Sequence, residues 1–307
     1  MAVILITGGT GLIGKALTAL LIQKGHEVII LSREAQQSEQ AQLTYATWNI
    51  AKQTVDNAAI SKADYIVHLA GAGVADKRWS KARKQEIEKS RTQSSALLIK
   101  GLEQVPNNVK AVISASAIGW YGADEDRQKG VQAFTEDMPS DDSFLGRTCK
   151  LWEESIAPVE SLGKRLVKLR LGIVLSKQGG ALKEFIKPIK LGVAAVLGSG
   201  KQVISWVHIE DVCRMILFAI ENERVSGVYN ATAPIPVTNH DLVIALANKI
   251  KGRFYIPAQV PSFVLKIMLG ELSIEVLKSA TVSSEKIKHE GFTFLYPSIE
   301  AAIPALV

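Results

Sequence analysis

The chain opens with a strand, a glycine-rich loop and a helix in immediate succession, and this arrangement constrains its fold more than any other feature. An apolar run at residues 3–6 precedes the motif, and an amphipathic helix closed by Gly25 follows it. Spaced glycines allow a tight turn, a close approach of backbone to a pyrophosphate, and close packing of helix on strand. The motif therefore predicts dinucleotide binding at the positive end of the first helix. The candidate cofactor-binding residues here are Gly8, Thr10, Gly11, Leu12, Ile13 and Gly14.

Short apolar segments alternate with helical patterns through the first half of the chain. Residues 27–31, 65–69, 111–114 and 167–171 have the composition of buried strands, and residues 80–103 and 144–162 have helical patterns. This alternation predicts an α/β fold, a Rossmann-type doubly wound parallel sheet.

Beyond residue 175, glycines and prolines divide the chain into shorter pieces, which predicts a smaller C-terminal α/β substrate lobe. The expected dinucleotide-binding domain covers residues 1–175, with about 203–232 returning to it. The expected lobe covers about 176–202 and 233–307.

The end of the second strand indicates which dinucleotide binds. An NAD site usually has Asp or Glu there to hold the ribose 2′-hydroxyl, whereas this chain has Ser32 and Arg33. A hydroxyl and a guanidinium suit a 2′-phosphate, so NADP(H) is the predicted cofactor and NAD(H) is less favoured. The alternative is that Arg33 is a solvated loop cation, and the neighbouring Glu34 weakens the inference.

Composition excludes several classes of function. The net charge is +6, but the basic residues are scattered among acids, which argues against nucleic acid. No apolar run approaches the ~20 residues of a membrane span, and five histidines and two cysteines show no metal-ligand spacing. Cys149 and Cys213 are expected to be reduced thiols, and no signal peptide is apparent, so a cytoplasmic location is predicted. A small-molecule substrate is expected, and the oligomeric state stays open.

The sequence resembles the extended short-chain dehydrogenase/reductases, and most closely their atypical branch, the epimerase family proteins, which are NAD-dependent epimerase/dehydratase-like with their own C-terminal segment. The likeness covers essentially the whole chain. Besides the glycine loop it rests on His68-Leu69-Ala70-Gly71, Arg78-Trp79, Ser90-Arg91, residues 114–122, Trp152-Glu153, residues 170–175, residues 206–212 and Gly291-Phe292.

The resemblance implies an NADP-binding Rossmann domain with a small lobe over the nicotinamide end. The residues it assigns to the cofactor are Ser32 and Arg33 at the 2′-phosphate, Leu69, Ala70 and Gly71 along the adenosine and ribose, Glu86 and Arg91 on the long helix, and Val174 after the sixth strand. Without the resemblance, Glu86 and Arg91 would be interpreted as ordinary charges on a helix surface.

The resemblance also bears on catalysis, because redox members of the superfamily combine a Ser or Thr with a Tyr and a Lys four residues apart. The lysine lowers the pKa of the phenol, which then exchanges a proton with the substrate. Ser116 fits the first position, although it could equally cap a strand end. Lys150 lies on the next helix, but Gly146 stands where the tyrosine is expected. Tyr121 is the nearest other phenol; in related epimerases the equivalent residue mostly shapes the sugar pocket.

Two functions are consistent with these residues. The first is an NADP(H)-binding oxidoreductase or epimerase that acts on an unidentified small polar carbonyl or sugar-like substrate. The second is a catalytically weak or inactive NADP(H)-binding redox sensor, which the missing tyrosine supports. An acidic loop at residues 122–142, which includes Asp124, Glu125, Asp126 and Glu136, argues against a second highly anionic ligand in contact with it.

Overall fold

A computed structural model of the chain describes residues 1–124 and 133–307. Glu125 and Asp126 of the acidic loop lie outside the described residues. The strands are β1 Val3–Thr7, β2 Glu27–Ser32, β3 Leu43–Asn49, β4 Thr54–Val55, β5 Tyr65–His68, β6 Ala111–Ala117, β7 Arg165–Leu171, β8 Ile173–Ser176, β9 Gly179–Gly180, β10 Val193–Leu197, β11 Val203–Ile204, β12 Trp206–His208, β13 Gly227–Ala231, β14 Val237–Thr238 and β15 Ile256–Val260.

The helices pack on both sides of the main sheet and build the smaller lobe. They are α1 Leu12–Gln23, α2 Asn57–Lys62, α3 Lys81–Gln104, α4 Phe144–Ile156, α5 Pro158–Ser161, α6 Ala181–Lys190, α7 Ile209–Glu221, α8 Asn239–Lys251, α9 Ser262–Leu269, α10 Leu272–Leu277, α11 Glu285–His289 and α12 Ile299–Leu306. A 3₁₀ turn, Ile118–Trp120, follows β6.

The main sheet has the order β13-β7-β6-β5-β1-β2-β3-β4, and every neighbouring pair is parallel except β3 with β4. Ile4 and Ile6 face one apolar core, whereas Leu5 faces the other. Because both faces of β1 are covered, four of its five residues, Val3 to Ile6, are apolar. The predicted Rossmann-type doubly wound α/β fold is confirmed. The loops after β1, β5 and β6 lie together at the carboxyl edge of the sheet, where such folds bind ligands.

The smaller lobe has a core of its own. Leu182, Trp206, Leu246 and Ile303 are buried together within it. Strand β12 pairs in parallel with β8, which continues the chain directly after β7. The lobe is thereby attached to the carboxyl edge of the main sheet.

Residues 279–283, which we call the 279–283 segment, connect the loop after β6 with the lobe. Asp124 accepts hydrogen bonds from the Thr281 amide (2.9 Å) and hydroxyl (2.7 Å). Ser205 donates to the Ala280 carbonyl (2.8 Å) and accepts from the Val282 amide (2.9 Å). The segment therefore fixes the loop and the lobe relative to each other.

Two elements differ from the sequence expectation. The predicted helix at 144–162 is divided at Ala157, where α4 ends and Pro158 starts α5. A proline supplies no amide to continue a helix but suits a first helical turn, which accounts for the break. Strand β3 was not predicted; only Ala46 and Trp48 of its seven residues are buried.

Within residues 1–124 and 133–307, no helix is both long and apolar enough to cross a membrane. In the same ranges, no group of three or more His, Cys, Asp or Glu side chains is arranged to hold a metal ion.

Candidate functional site

The glycine loop brings backbone closer to backbone than any side chain would allow. Gly8 has a φ of +69°, and a Cβ on it would lie 2.8 Å from the carbonyl carbon of Leu69. A Cβ on Gly14 would lie 2.4 Å from the Gly8 carbonyl oxygen. Gly11 caps α1 without a side-chain hydrogen bond, and the first turn carries no acid. The amides at this helix start are thus available to an anion, so the loop fits a dinucleotide pyrophosphate.

Thr7 and His68 fix the chain segment that lies beside this loop. The amides of Leu69 and Ala70 donate to the Thr7 hydroxyl (3.1 and 3.2 Å), which lies 2.7 Å from His68 Nδ1. Burial lowers the pKa of His68 to about 3, so the ring is neutral. This arrangement holds the chain from Leu69 to Gly71 against the loop.

The predicted 2′-phosphate residues lie at the end of β2. The Ser32 side chain is buried, and its hydroxyl accepts from the Glu34 amide (3.3 Å) and the Gln36 side chain (3.0 Å). The Arg33 side chain is exposed. A guanidinium in this position can reach a ligand without first breaking a buried contact.

The two predicted charges on α3 have different surroundings. Arg91 is 9% exposed; its Nη1 donates to Ala72 O (3.1 Å) and Ile87 O (2.8 Å), and its guanidinium stacks 4.8 Å from the Trp152 ring. Burial lowers the pKa of Arg91. Glu86 is exposed and accepts a hydrogen bond from Arg83 at 2.6 Å. Of the two, only Arg91 reaches the cavity described next.

A cavity of about 470 Å³ lies beyond the carboxyl ends of β6 and β7, under α6 and α10. This volume is within the range of small-molecule sites, about 300 to 1,000 Å³. Ser116, Arg91 and Val174 line it from the Rossmann side, and Phe185 and Leu272 line it from the lobe. The cavity therefore extends from the predicted nicotinamide end into the lobe.

A buried polar network lies directly behind Ser116. The Ser116 hydroxyl donates to Glu153 Oε1 (2.7 Å), and Arg170 donates to both oxygens of Glu153 (2.8 and 3.1 Å). Arg170 Nη1 also donates to the Tyr121 hydroxyl (2.9 Å), which donates to Asn230 (2.7 Å). Burial alone would lower the pKa of Arg170, but the hydrogen bonds and charge of Glu153 raise it above its usual value. The network orients Ser116 through a charged pair that is closed to solvent.

The three candidate catalytic side chains are not brought together. Ser116 lines the cavity, although it is only 1% exposed. Tyr121 is fully buried, its hydroxyl is bound by Arg170 and Asn230, and burial raises the pKa of its phenol to about 12. Lys150 is exposed and does not line the cavity. Catalytic roles for Tyr121 and Lys150 stay predictions, without support from this geometry.

The orientation of α4 gives the physical reason. The α4 residues that line the cavity are Leu145, Thr148, Cys149 and Trp152. Gly146 instead packs on the preceding loop, where a Cβ would lie 2.1 Å from the Asp141 carbonyl oxygen. The cavity-facing pairs four residues apart are thus Leu145 with Cys149 and Thr148 with Trp152, and neither pair is the Tyr and Lys of the redox pattern.

Four further residues of the site, Glu153, Arg170, Glu275 and Lys278, had no role predicted from the sequence. Glu153 follows Cys149 by four residues, so this spacing could have placed the acid on the buried face of α4. Its partner Arg170 was found only through the folded sheet. Glu275 and Lys278, at and just after α10, form a 2.6 Å ion pair on the cavity wall, and nothing in their local sequence indicated that position.

The chain is similar over its whole length to proteins of known sequence. It is 35% identical to the epimerase family protein YfhF of Bacillus subtilis over 305 residues, which is 99% of this chain and 97% of that protein. A Staphylococcus aureus epimerase family protein is also 35% identical, over 306 residues, with coverage of 99% and 98%.

Solved structures show the same architecture. Human epimerase family protein SDR39U1 with NADPH has a TM-score of 0.86 and 29% identity, covering 99% of this chain and 98% of that one. A nucleoside-diphosphate sugar epimerase from Corynebacterium glutamicum has a TM-score of 0.76 and 30% identity, covering 99% of this chain and 58% of that one. UDP-glucuronic acid 4-epimerase from Bacillus cereus, solved with UDP-glucuronic acid and NAD, shares the fold at 20% identity and a TM-score of 0.79, covering 99% and 97%.

Two family matches divide the chain. Residues 4–232 match the NAD dependent epimerase/dehydratase family, and residues 260–306 match a domain of unknown function, DUF1731. The resemblance drawn from the sequence motifs is confirmed. The chain therefore belongs to the NAD dependent epimerase/dehydratase family of extended short-chain dehydrogenase/reductases, with a DUF1731 segment following the Rossmann part.

Proposed function

We propose that this chain is an NADP(H)-dependent oxidoreductase or epimerase that acts on a small carbonyl or alcohol compound in the cavity beside Ser116. One observation carries the proposal: the glycine loop and the Ser116 hydroxyl lie at the same carboxyl edge of the sheet, and the cavity begins there. A dinucleotide whose phosphates lie on the loop can extend along this edge to the cavity. When bound, the nicotinamide supplies or accepts a hydride.

The chain's own residues would hold the cofactor along this edge. The loop amides would bind the pyrophosphate, and residues Leu69 to Gly71, directly after β5, would contact the adenosine and ribose. Arg91 and Val174 would lie at the nicotinamide end. Glu86 stays a prediction, since Arg83 already binds its carboxylate.

We favour NADP(H) over NAD(H) because of Ser32 and Arg33. An exposed guanidinium can form a charge-assisted pair with a 2′-phosphate, which NAD(H) lacks. The human relative was solved with NADPH, and the more distant Bacillus cereus epimerase with NAD.

The test of this proposal is cofactor selectivity in the unmodified protein and in Arg33→Asp. We expect NADPH to bind more tightly than NADH, and the substitution to weaken NADPH binding much more than NADH binding, because it replaces attraction to the 2′-phosphate with repulsion. Glu34→Gln, at the next position, is the matched control and should not reduce the preference for NADPH. Titration calorimetry measures the affinity of each of the three proteins for NADPH and for NADH. Equal affinities of the unmodified protein for both cofactors would remove the assignment.

Ser116 is the side chain that we expect to meet the reacting oxygen. Its own proton is donated to Glu153, so its oxygen can accept a hydrogen bond from a substrate hydroxyl. The Glu153–Arg170 pair holds this serine in one orientation, which favours a defined alignment of the substrate.

A non-catalytic NADP(H)-binding sensor is the second candidate, and the cavity face of α4 favours it. Leu145 and Cys149 stand four residues apart there, and neither supplies the phenol or the ammonium of the redox pattern. Screening a panel of carbonyl compounds for NADPH consumption separates the two functions. Tight NADPH binding without turnover of any compound would favour the sensor.

A further inference from the structure

We propose that the substrate is an uncharged, largely apolar alcohol or carbonyl compound, not a nucleotide sugar, and that its carbon skeleton lies against Phe185, Ile204 and Val276. This inference rests on the proposed function, because it assigns the substrate class of the same cavity. It departs from the polar, sugar-like substrate that the sequence suggested.

The lobe side of the cavity is mainly apolar, although Ser205, Asn239, Glu275 and Lys278 also line it. Helix α6 contributes Phe185, β10 and β11 contribute Leu197 and Ile204, and α10 contributes Leu272 and Val276. Phe185 and Ile204 are only partly buried, so their side chains have surface that a ligand can cover. Burial of apolar surface is favourable in proportion to area, so such walls select a hydrocarbon skeleton.

Hydroxyl groups on the wall are already used by the protein. Thr148 donates to the Phe144 carbonyl (2.7 Å). The Ser205 hydroxyl both donates a hydrogen bond to the 279–283 segment and accepts one from it. A sugar ring needs several partners for its hydroxyls, and neither of these two side chains can donate to one without losing an internal hydrogen bond.

The charges on the wall also argue against a nucleotide sugar. Among the described residues, the charged side chains that line the cavity are Arg91, Glu275 and Lys278. Lys278 is neutralised by Glu275 at 2.6 Å and also donates to the Tyr121 carbonyl (3.2 Å). Arg91 lies at the end that we assign to the cofactor. A second diphosphate would be buried without a cation to balance it, which is strongly unfavourable.

A binding assay tests this class without requiring turnover. The NADPH-loaded protein is titrated with N-phenyl-1-naphthylamine, an uncharged probe that fluoresces in apolar surroundings. Straight-chain methyl ketones of increasing length should then displace the probe, with affinity rising about fourfold for each added methylene. UDP-glucose should not displace it. Displacement by UDP-glucose at concentrations where the ketones have no effect would overturn the proposal.

Two variants locate the probe. Ile204→Glu places a charge on the wall and should weaken binding of probe and ketones by at least about tenfold, while NADPH affinity stays unchanged. Phe185→Ala removes contact area and is the milder second variant. Ile267→Glu is the matched control, since Ile267 is 70% exposed on α9 and does not line the cavity. If Ile267→Glu abolishes probe binding and Ile204→Glu does not, the apolar site is on the outer face and the proposal fails.

The outcome for the substrate class can be separated from that for the proposed function. Unmodified protein that binds NADPH but neither probe nor ketones contradicts the apolar substrate alone. Protein that binds probe and ketones in the absence of NADPH, yet never binds NADPH, supports the apolar class and contradicts the proposed function.

Discussion

At the scale of single residues, the neighbours of His68 determine its protonation state. Thr7 Oγ1 accepts from two backbone amides, so its own proton is donated to His68 Nδ1. The other ring nitrogen lies 3.2 Å from the Ser95 hydroxyl, which donates to the Arg91 carbonyl and therefore accepts from the ring. A protonated ring would need acceptors at both nitrogens, whereas only Nε2 has one.

Because this histidine is neutral, the free energy of unfolding should fall as the pH is lowered. The pKa of His68 falls from 6.5 to about 3 on burial, so below pH 6.5 the unfolded chain binds a proton that the folded chain does not. Stability present above pH 6.5 is then lost as the pH falls toward the folded pKa. Between pH 6.5 and about 4.5 the loss should amount to about 2–3 kcal/mol.

Urea unfolding at both pH values measures this loss in the unmodified protein and in His68→Asn. The variant should lose less stability over this interval, whatever its stability at neutral pH, because other titrating groups are common to both proteins. The same loss in both would show that His68 does not cause the acid sensitivity.

At the scale of elements, the glycine loop and α1 act as one unit. Gly14→Ala would place a Cβ 2.4 Å from the Gly8 carbonyl oxygen, so α1 must move away from the loop. We expect NADPH affinity to fall by at least about tenfold, since the phosphate-binding amides move with the helix. Lys15→Ala, at the next and exposed position of the same helix, should bind NADPH normally. Calorimetric titration compares the two, and equal affinities would place the cofactor elsewhere.

Several strands of the main sheet could be predicted from the sequence, and one could not. Strands β1, β2, β5 and β6 were predicted because each contains an apolar run that is buried on both faces, whereas β3 exposes part of its length and lacks that signal. Glycine spacing and the place of Ser116 are local features of the chain, so the loop and one wall of the cavity could be predicted.

The register of α4 could not be predicted in the same way. Lys150 and Cys149 are adjacent in sequence, and only the packing of α4 on the sheet determines that Cys149 faces the cavity. The Glu153–Arg170 pair joins a helix to a strand, and no spacing rule connects them. These parts of the site depend on tertiary contacts.

At the scale of the whole molecule, Arg170 connects four parts of the chain. It binds Glu153 on α4, the Tyr121 hydroxyl and the Glu136 carbonyl of the loop after β6, and its guanidinium stacks 3.7 Å from the Trp120 ring. Asn230 on β13 joins through Tyr121. The network thus fixes the outer strands, α4 and the loop as one body.

Arg170→Met should therefore lower the free energy of unfolding by about 3–5 kcal/mol, because it leaves Glu153 buried without its cation. Lys187→Met is the matched control: it breaks the Lys187–Glu184 pair, whose side chains are 57% and 67% exposed, and should cost less than about 1 kcal/mol. Urea unfolding at neutral pH measures both. Similar losses in the two variants would show that the buried network contributes no more to the free energy of unfolding than an exposed ion pair does.

The 279–283 segment also sets the order in which the molecule can be completed during synthesis. Asp124 emerges from the ribosome 157 residues before Thr281, its partner in three dimensions. Contacts so distant along the chain form slowly, because a long loop must close before they contribute. The Rossmann strands can pair earlier, but the loop after β6 gains this partner only after residue 281 has been made. The apolar cavity is consequently enclosed late, and the nascent chain needs protection from aggregation there until the 279–283 segment has emerged.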